Sequence, residues 1–371
     1  MAGLYVHIPF CRAKCRYCDF ASAAAGRDFA ETESRYLDAL AAEAVARSVG
    51  WKEFDTVYIG GGTPGVLSAA ALERLFVLLK SNFDLSAASE ITVECNPESA
   101  DFAKLDVLTR LGANRLSMGA QSFDEETLKY LGRVHPAMSV RESFAAAREA
   151  GFDNIGLDLI FGAPVGGPET SAMESRLEKW RCDLDNAVAL KPEHISVYAL
   201  SIEDGTPLAA SGDIISEDEQ ADMYALAREH LSSAGYVHYE LSNFARPGRE
   251  SRHNLNYWRL GSYLGLGAAA ASFDGRSRFK NTSDTAVYTD NPADSAAERE
   301  TLTGGQIASE KIFLGLRLLN EGVTFGAEES RLYADVLSRL EADGSVERRG
   351  AAFRLRPSAY FTSNAVMREF V

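Results

Sequence analysis

Six short apolar runs rich in β-branched residues punctuate the first part of the chain, at Leu4–Ile8, Thr56–Ile59, Ile91–Glu94, Arg115–Gly119, Ile155–Ile160 and Ile195–Leu200. Between them, apolar residues return every three or four positions at Arg35–Val49, Ala69–Asn82, Phe102–Leu111, Ser139–Ala150 and Met173–Leu190. The first pattern is that of buried strands and the second that of amphipathic helices. A strand can only meet the next one in parallel through a crossover, so the alternation predicts an α/β fold of parallel β/α units. Such units form either a doubly wound sheet or a closed or partial barrel, and periodicity does not choose between them. In each architecture functional groups gather at the C-terminal ends of the strands. Cys11, Gly60–Pro64, Glu94, Gln121, Asp158 and Ala199 all fall at or just beyond such ends, which predicts one rim carrying one site.

A chain of 371 residues has room for one large domain and a smaller one. We expect the β/α part to cover residues 1–215 and a mixed region to follow over 216–301. A small α+β, winged-helix-like domain is expected over 302–371, built from helices at Ala308–Asn320 and Glu329–Asp343, a Gly344 turn and the runs Val346–Arg348 and Phe353–Leu355. The stretch around Asn291-Pro292 reads as a loop ahead of that domain. No run approaches the roughly 18 apolar residues of a membrane span, and the first residues lack a secretory signal, so a cytoplasmic protein is expected. The net charge of −15 disfavours a phosphate backbone as partner, which argues against nucleic acid.

Three of the five cysteines lie within eight residues, Cys11, Cys15 and Cys18, in a C-x3-C-x2-C spacing just after the first strand. That usage suits a metal site in a reducing compartment better than a disulfide framework. Thiolates suit an iron–sulfur cluster or zinc; structural zinc normally needs a closed set of four ligands, whereas a cubane held by three cysteines keeps one iron open to another ligand. Arg12, Lys14 and Arg16 either favour the thiolates or simply solubilise the loop. Gly60-Gly61-Gly62-Thr63-Pro64 lets a backbone approach a ligand, or is a plain tight turn; it is neither a P-loop nor a dinucleotide fingerprint. Cys95 and Cys182 read as buried thiols. In Arg252-His253-Asn254-Leu255-Asn256-Tyr257-Trp258, an imidazole beside two aromatics is either a heme-contacting unit or a buried histidine in an aromatic cluster. The small-residue stretch Gly261–Ser272 lets a flat ligand or another backbone come close, or is only a tightly packed loop.

Tyr5-Val6-His7-Ile8-Pro9-Phe10-Cys11, the three-cysteine loop and Gly60–Pro64 resemble the radical S-adenosylmethionine (SAM) superfamily. Within it, nearly the whole chain is similar to the oxygen-independent coproporphyrinogen III oxidase group. The resemblance implies a partial (β/α)6 TIM-like barrel, a [4Fe–4S] cluster on Cys11, Cys15 and Cys18, and S-adenosylmethionine on the open iron, cleaved by an electron from the cluster to a 5′-deoxyadenosyl radical. By the same resemblance Tyr5 lies against the cofactor, Gly61, Gly62 and Thr63 bind its methionyl end, and Glu94, Gln121, Arg133, Asp158 and Ala199 make further contacts. The decarboxylating enzymes of the group carry another cysteine where Phe20 stands, and an N-terminal arm ahead of the first strand. The H-N-x-x-Y-W run from His253 to Trp258 resembles instead the hallmark of a sister family, the heme chaperones called HemW. That likeness implies heme as a further ligand with His253 as its contact, an acceptor protein for the heme, and an electron donor such as a flavodoxin or ferredoxin. The alternative it leaves is a coproporphyrinogen III dehydrogenase, oxidatively decarboxylating two propionates.

Overall fold

The computed structural model describes residues 2–165, 170–211 and 214–371. β1 (Ala2–Ile8) runs into the cysteine loop, whose ends are tied by the short pair β2 (Phe10–Cys11) and β3 (Ala23–Ala24). Five strands follow, β4 (Thr56–Gly61), β5 (Glu90–Cys95), β6 (Arg115–Gln121), β7 (Ile155–Phe161) and β8 (His194–Ala199). They alternate with α1 (Phe29–Arg47), α2 (Ala69–Asn82), α3 (Phe102–Leu111), α4 (Glu125–Leu131), α5 (Ala137–Glu149) and α6 (Thr170–Leu190). β1, β4, β5, β6, β7 and β8 pair in that order, every pair parallel.

The barrel does not close. After α7 (Glu217–Ser233), the outer edge of β8 takes β10 (Asn243–Ala245), which pairs in turn with β9 (Val237–Glu240), both antiparallel. The free edge of β1 takes β11 (Ser262–Leu266) in parallel, and antiparallel β12 (Ala271–Phe273), β13 (Ser277–Asn281) and β14 (Ala296–Thr301) extend the sheet further. The result is a twelve-stranded open sheet whose middle is a partial (β/α)6 barrel.

Local sequence explains the elements. In α2, Ser68 caps the helix by accepting from the Ala71 N–H, and Leu72, Leu75, Phe76 and Leu79 form the buried stripe. Asp101 and Asp124 cap α3 and α4 in the same way, and both helices end on a left-handed glycine, Gly112 and Gly132. The helix expected from Arg35 begins at Phe29, because its first turn is mostly exposed and shows no apolar period.

The stretch near Asn291 is only partly a loop. Beyond α9 (Thr285–Asp290) and a short turn, β14 is an edge strand whose residues are almost all exposed, so it carries no alternation to betray it. Backbone pairing with β13 and the Arg278–Glu300 ion pair hold it. The C-terminal part has its own core, with Ile312, Leu316, Leu337, Leu340, Val346, Phe353 and Phe370 buried together. It comprises α10 (Gly304–Gly315), β15 (Val323–Thr324), α11 (Ala327–Leu332), α12 (Ala334–Ala342), β16 (Val346–Arg349), β17 (Ala352–Leu355) and α13 (Ser363–Arg368). A Thr303–Gln306 capping box starts α10 ahead of the expected Ala308, and the single helix expected over Glu329–Asp343 breaks at Tyr333 into α11 and α12.

Asp183 on α6 ties that helix to the end of β6. Its buried carboxylate accepts from the Ser122 hydroxyl at 2.7 Å and the Phe123 N–H at 2.6 Å. Burial nevertheless pushes it up to about 7, against an ordinary value near 3.8. A carboxyl raised on folding binds its proton more tightly in the native state, so its contribution is full below the unfolded value and is lost as pH rises through about 7. Urea unfolding at pH 7.5 and pH 5.5 should show the wild type gaining about 1–2 kcal/mol more than Asp183→Asn on acidification. Equal gains in the two proteins would rule this out.

Candidate functional site

The cysteine loop is held in place by distant backbone. The Arg16 N–H donates to Leu131 O at the end of α4, its carbonyl accepts from the Leu208 N–H, and its guanidinium reaches Tyr130 O. Ala25 N–H donates to Cys11 O, closing the loop on itself. Cys11, Cys15 and Cys18 thereby come to line the mouth of a cavity of about 380 Å³ inside the barrel. Two of the sulfurs already accept from neighbours: Thr63 Oγ1 donates to Cys11 Sγ at 3.6 Å and Arg133 Nη1 to Cys15 Sγ at 3.4 Å. Burial raises the Cys18 thiol, against the Phe20 backbone bond that lowers it. Among the described residues no three His, Cys, Asp or Glu side chains stand close enough to share a single metal ion. The donor set is therefore three thiols spread round a cavity mouth, with a cation and a hydroxyl behind them.

The same cavity is lined by Gly61, Gly62, Thr63, Glu94, Gln121, Arg133, Asp158 and Ala199. Sequence-distant strand ends therefore converge, because parallel strands deliver their C-terminal residues to one rim. Gly61 has φ +109°, and a side chain there would run into the His7 ring; at Gly62 a Cβ would lie 2.6 Å from Phe10 O. Only glycine lets the β4 end pass so close to the cysteine loop. The small Gly119 likewise makes room for Asn96 Oδ1 and for Gln121, itself a non-glycine residue at φ +65° beside the bulge in β6.

Glu94 accepts from Tyr58 Oη at 2.6 Å and from the Gly61 N–H at 3.1 Å. Burial pushes it up to about 7, with nearby Asp158 adding to the rise. Asp158 is raised as well, chiefly by burial, although Ser196 and Ser117 hydroxyls bond to it. The cavity wall thus presents two desolvated carboxyls ready to accept from an amino or hydroxyl group. Arg133 is engaged by Cys15 and by Gly119 O at 2.8 Å, with Glu98 at 3.9 Å. Any carboxylate that reaches it shares it with those partners.

Arg115 stands at the cavity floor, 2% exposed, with Glu90, Tyr58 and Asp158 as its charged or ionisable surroundings. Arg115, Asn96, Tyr58, Ser117, Ser196 and Tyr198 escaped sequence reading, although they line the cavity. A signal was present. In Arg115-Leu116-Ser117-Met118-Gly119-Ala120-Gln121 the polar and small positions alternate with Leu116, Met118 and Ala120, which are fully buried in the surrounding core. An interior face of that polarity marks a barrel whose lumen is a site.

Tyr5 faces a neighbouring, larger cleft that shares Gly61 and Glu94 with the cavity, and its hydroxyl meets His7 Nδ1 at 2.9 Å. His253 stands apart from the cysteines. It lies on α8 (Arg252–Trp258), which caps the opposite end of the barrel: the backbone N–H groups of Arg252 and His253 both donate to Glu90, at the start of β5. The ring is 1% exposed. Its Nδ1 bonds Thr56 Oγ1 at 2.9 Å and its Nε2 bonds Tyr257 Oη at 2.8 Å, and burial, with Arg115 adding, holds it down at about 3. Both ring nitrogens thus have protein partners. Gly261–Ser272 is largely strand, and the close approach is by backbone, since a Cβ at Gly265 would lie 2.2 Å from Ala271 O.

Residues 5–172 match the Radical SAM superfamily. The heme chaperone HemW of Bacillus subtilis (strain 168) is 34% identical, covering 100% of this chain and 99% of the relative. HemW of Escherichia coli (strain K12) is 38% identical over 72% of this chain and 69% of its own. Among solved structures, coproporphyrinogen III oxidase (HemN) from Escherichia coli, described as a radical SAM enzyme, superposes with a TM-score of 0.84 and 25% identity, covering 100% of this chain and 89% of that one. Full-length similarity of this order, on a barrel whose rim carries the C-x3-C-x2-C loop, means that the chain belongs to the radical SAM superfamily and, within it, to the HemW family.

Proposed function

We propose that the protein is a heme chaperone: it binds heme, and it holds a [4Fe–4S] cluster on Cys11, Cys15 and Cys18 with S-adenosylmethionine in the adjoining cavity. The observation that carries this reading is the full-length similarity to HemW proteins, set on a cavity whose mouth is three thiols and whose wall is Gly61–Thr63, Glu94 and Asp158. The donors suit the cofactors. Thiolates take iron, and the two carboxyls with the bare glycine backbone take an amino acid end and hydroxyls. When bound, the cluster supplies an open iron and an electron; the chain itself orients the cofactor and shields it inside the barrel. In this reading residues 1–215 carry cluster and S-adenosylmethionine, 216–301 supply a wall of the larger cleft, and 302–371 close that cleft from the other side.

No described helix is long and apolar enough to cross a membrane, and we place the protein in the cytoplasm. It would pass heme to an acceptor protein and take electrons from a small donor such as a flavodoxin or ferredoxin. The structural likeness to a coproporphyrinogen III oxidase keeps a decarboxylase as the second reading; Phe20, 63% exposed on the cysteine loop, stands where that chemistry would have a further cysteine. One anaerobic comparison tests both. The reconstituted chain should bind heme and form no protoporphyrinogen IX from coproporphyrinogen III with a reductant. Robust product, or no heme binding, would reject the chaperone.

A further inference from the structure

We propose that heme is seated in the cleft between the β11–β13 extension and α10, against Tyr257, Tyr263 and Phe273, with its two carboxylates on Lys14 and Lys280. This rests on the heme-binding reading above and says where and how the ligand is held. The cleft has a volume of about 1060 Å³, at the top of the roughly 300–1,000 Å³ range of small-molecule sites, so it calls for a large ligand. It opens beside the cysteine loop and shares Phe20, Gly61 and Glu94 with the cluster cavity. One of its walls is aromatic: the Tyr257 and Tyr263 rings meet edge to face at 4.7 Å, and Tyr263 and Phe273 lie 6.3 Å apart. Phe313 and Leu314 of α10 face them from the C-terminal part. A cleft with an aromatic wall and a polar rim between two packed units suits a broad, flat molecule with charged edges.

The charges of the cleft make it selective. Arg278 also lines it, but Glu300 and Glu310, each at 2.7 Å, neutralise that guanidinium. Lys280 makes no ion pair among the described residues; its cross-strand neighbour Glu298 stays beyond ion-pair distance. Lys14 donates its ammonium to Phe20 O and otherwise only favours the nearby Cys18 thiolate by its charge, with no ion pair among the described residues. Lys14 and Lys280 are thus two exposed cations with no ion pair among the described residues, set against one exposed carboxylate of the same lining, Asp19, and they offer a dianionic ligand two charge-assisted contacts. His253 then acts from behind the wall. Its bond to Tyr257 Oη fixes the ring that the macrocycle meets, while the imidazole itself stays on Thr56, which makes it a positioning residue.

Titration of the full reconstituted chain with hemin and with metal-free protoporphyrin IX tests the assignment. The double variant Lys14→Glu/Lys280→Glu should bind both on the order of tenfold more weakly or worse, with an unchanged melting profile because both side chains are exposed. The dimethyl ester of the porphyrin, lacking the charges, should bind wild type and variant alike. Hemin bound to His253→Gln should keep the wild-type Soret band; a displaced band would make the imidazole an axial ligand and overturn the placement. Wild-type hemin affinity in the double variant would overturn the site while leaving the chaperone reading intact. No hemin binding by the wild type would remove both.

Discussion

Replacing Cys11, Cys15 and Cys18 together by alanine should leave the chain unable to hold iron and sulfide after anaerobic reconstitution, where the wild type is expected to take up about four of each. The three thiols line one cavity mouth and no other described side chains are grouped to substitute for them. Cys95 does not compete, since it is buried at the end of β5 and its thiol is pushed up to about 12 by that burial. The fold should survive, because the loop is tied by backbone bonds to Leu131 and Leu208 and not by its sulfurs. The measurements are iron and sulfide content and the visible absorption of the cluster, with far-ultraviolet circular dichroism as the control. Wild-type iron in a folded triple variant would sink the ligand assignment.

The second large effect falls on stability. Arg115 is the largest fully buried side chain among the described residues, and its guanidinium faces Glu90 and Asp158 from the barrel floor. Arg115→Met keeps the volume but takes a cation away from those carboxyls. They face it without a direct ion pair, and the guanidinium donates to Thr92 Oγ1 at 3.5 Å, so the expected cost is about 1–3 kcal/mol, below that of a broken buried salt bridge. Glu90 also receives the first two N–H groups of α8, so the loss should reach the helix that closes the barrel. Urea unfolding is expected to show the drop, with Arg115→Lys losing distinctly less because the charge remains. Equal losses in the Met and Lys variants would mean that shape, and not charge, is what Arg115 contributes.

The barrel was legible because its strands are short, mostly apolar runs between turn signals, and crossover helices such as α2 and α3 carry their own caps and buried stripes. The antiparallel extension was not. β11 is five residues long, with its last three positions all buried and a glycine at Gly265 where another backbone crosses, and β14 is exposed along nearly its whole length, so neither shows the alternation by which strands are recognised. The cavity was half legible. Its rim residues announce themselves beside cysteines, glycines and prolines, whereas Tyr58, Arg115, Ser117 and Ser196 are interior positions within strands and gain meaning only once it is known which face looks inward.

What the sequence by itself determined is the order of the β/α units and the placing of three cysteines on one loop after the first strand, because eight residues confine them to one cavity mouth and local apolar patterns define the elements. Only the tertiary structure decided where His253 belongs. Its helix is pinned by Glu90, 163 residues away, and its ring by Thr56, 197 residues away. Contacts of that separation exist only after the sheet has curled, and the curl sets the imidazole behind Tyr257 at the barrel floor, with the thiols at the opposite rim.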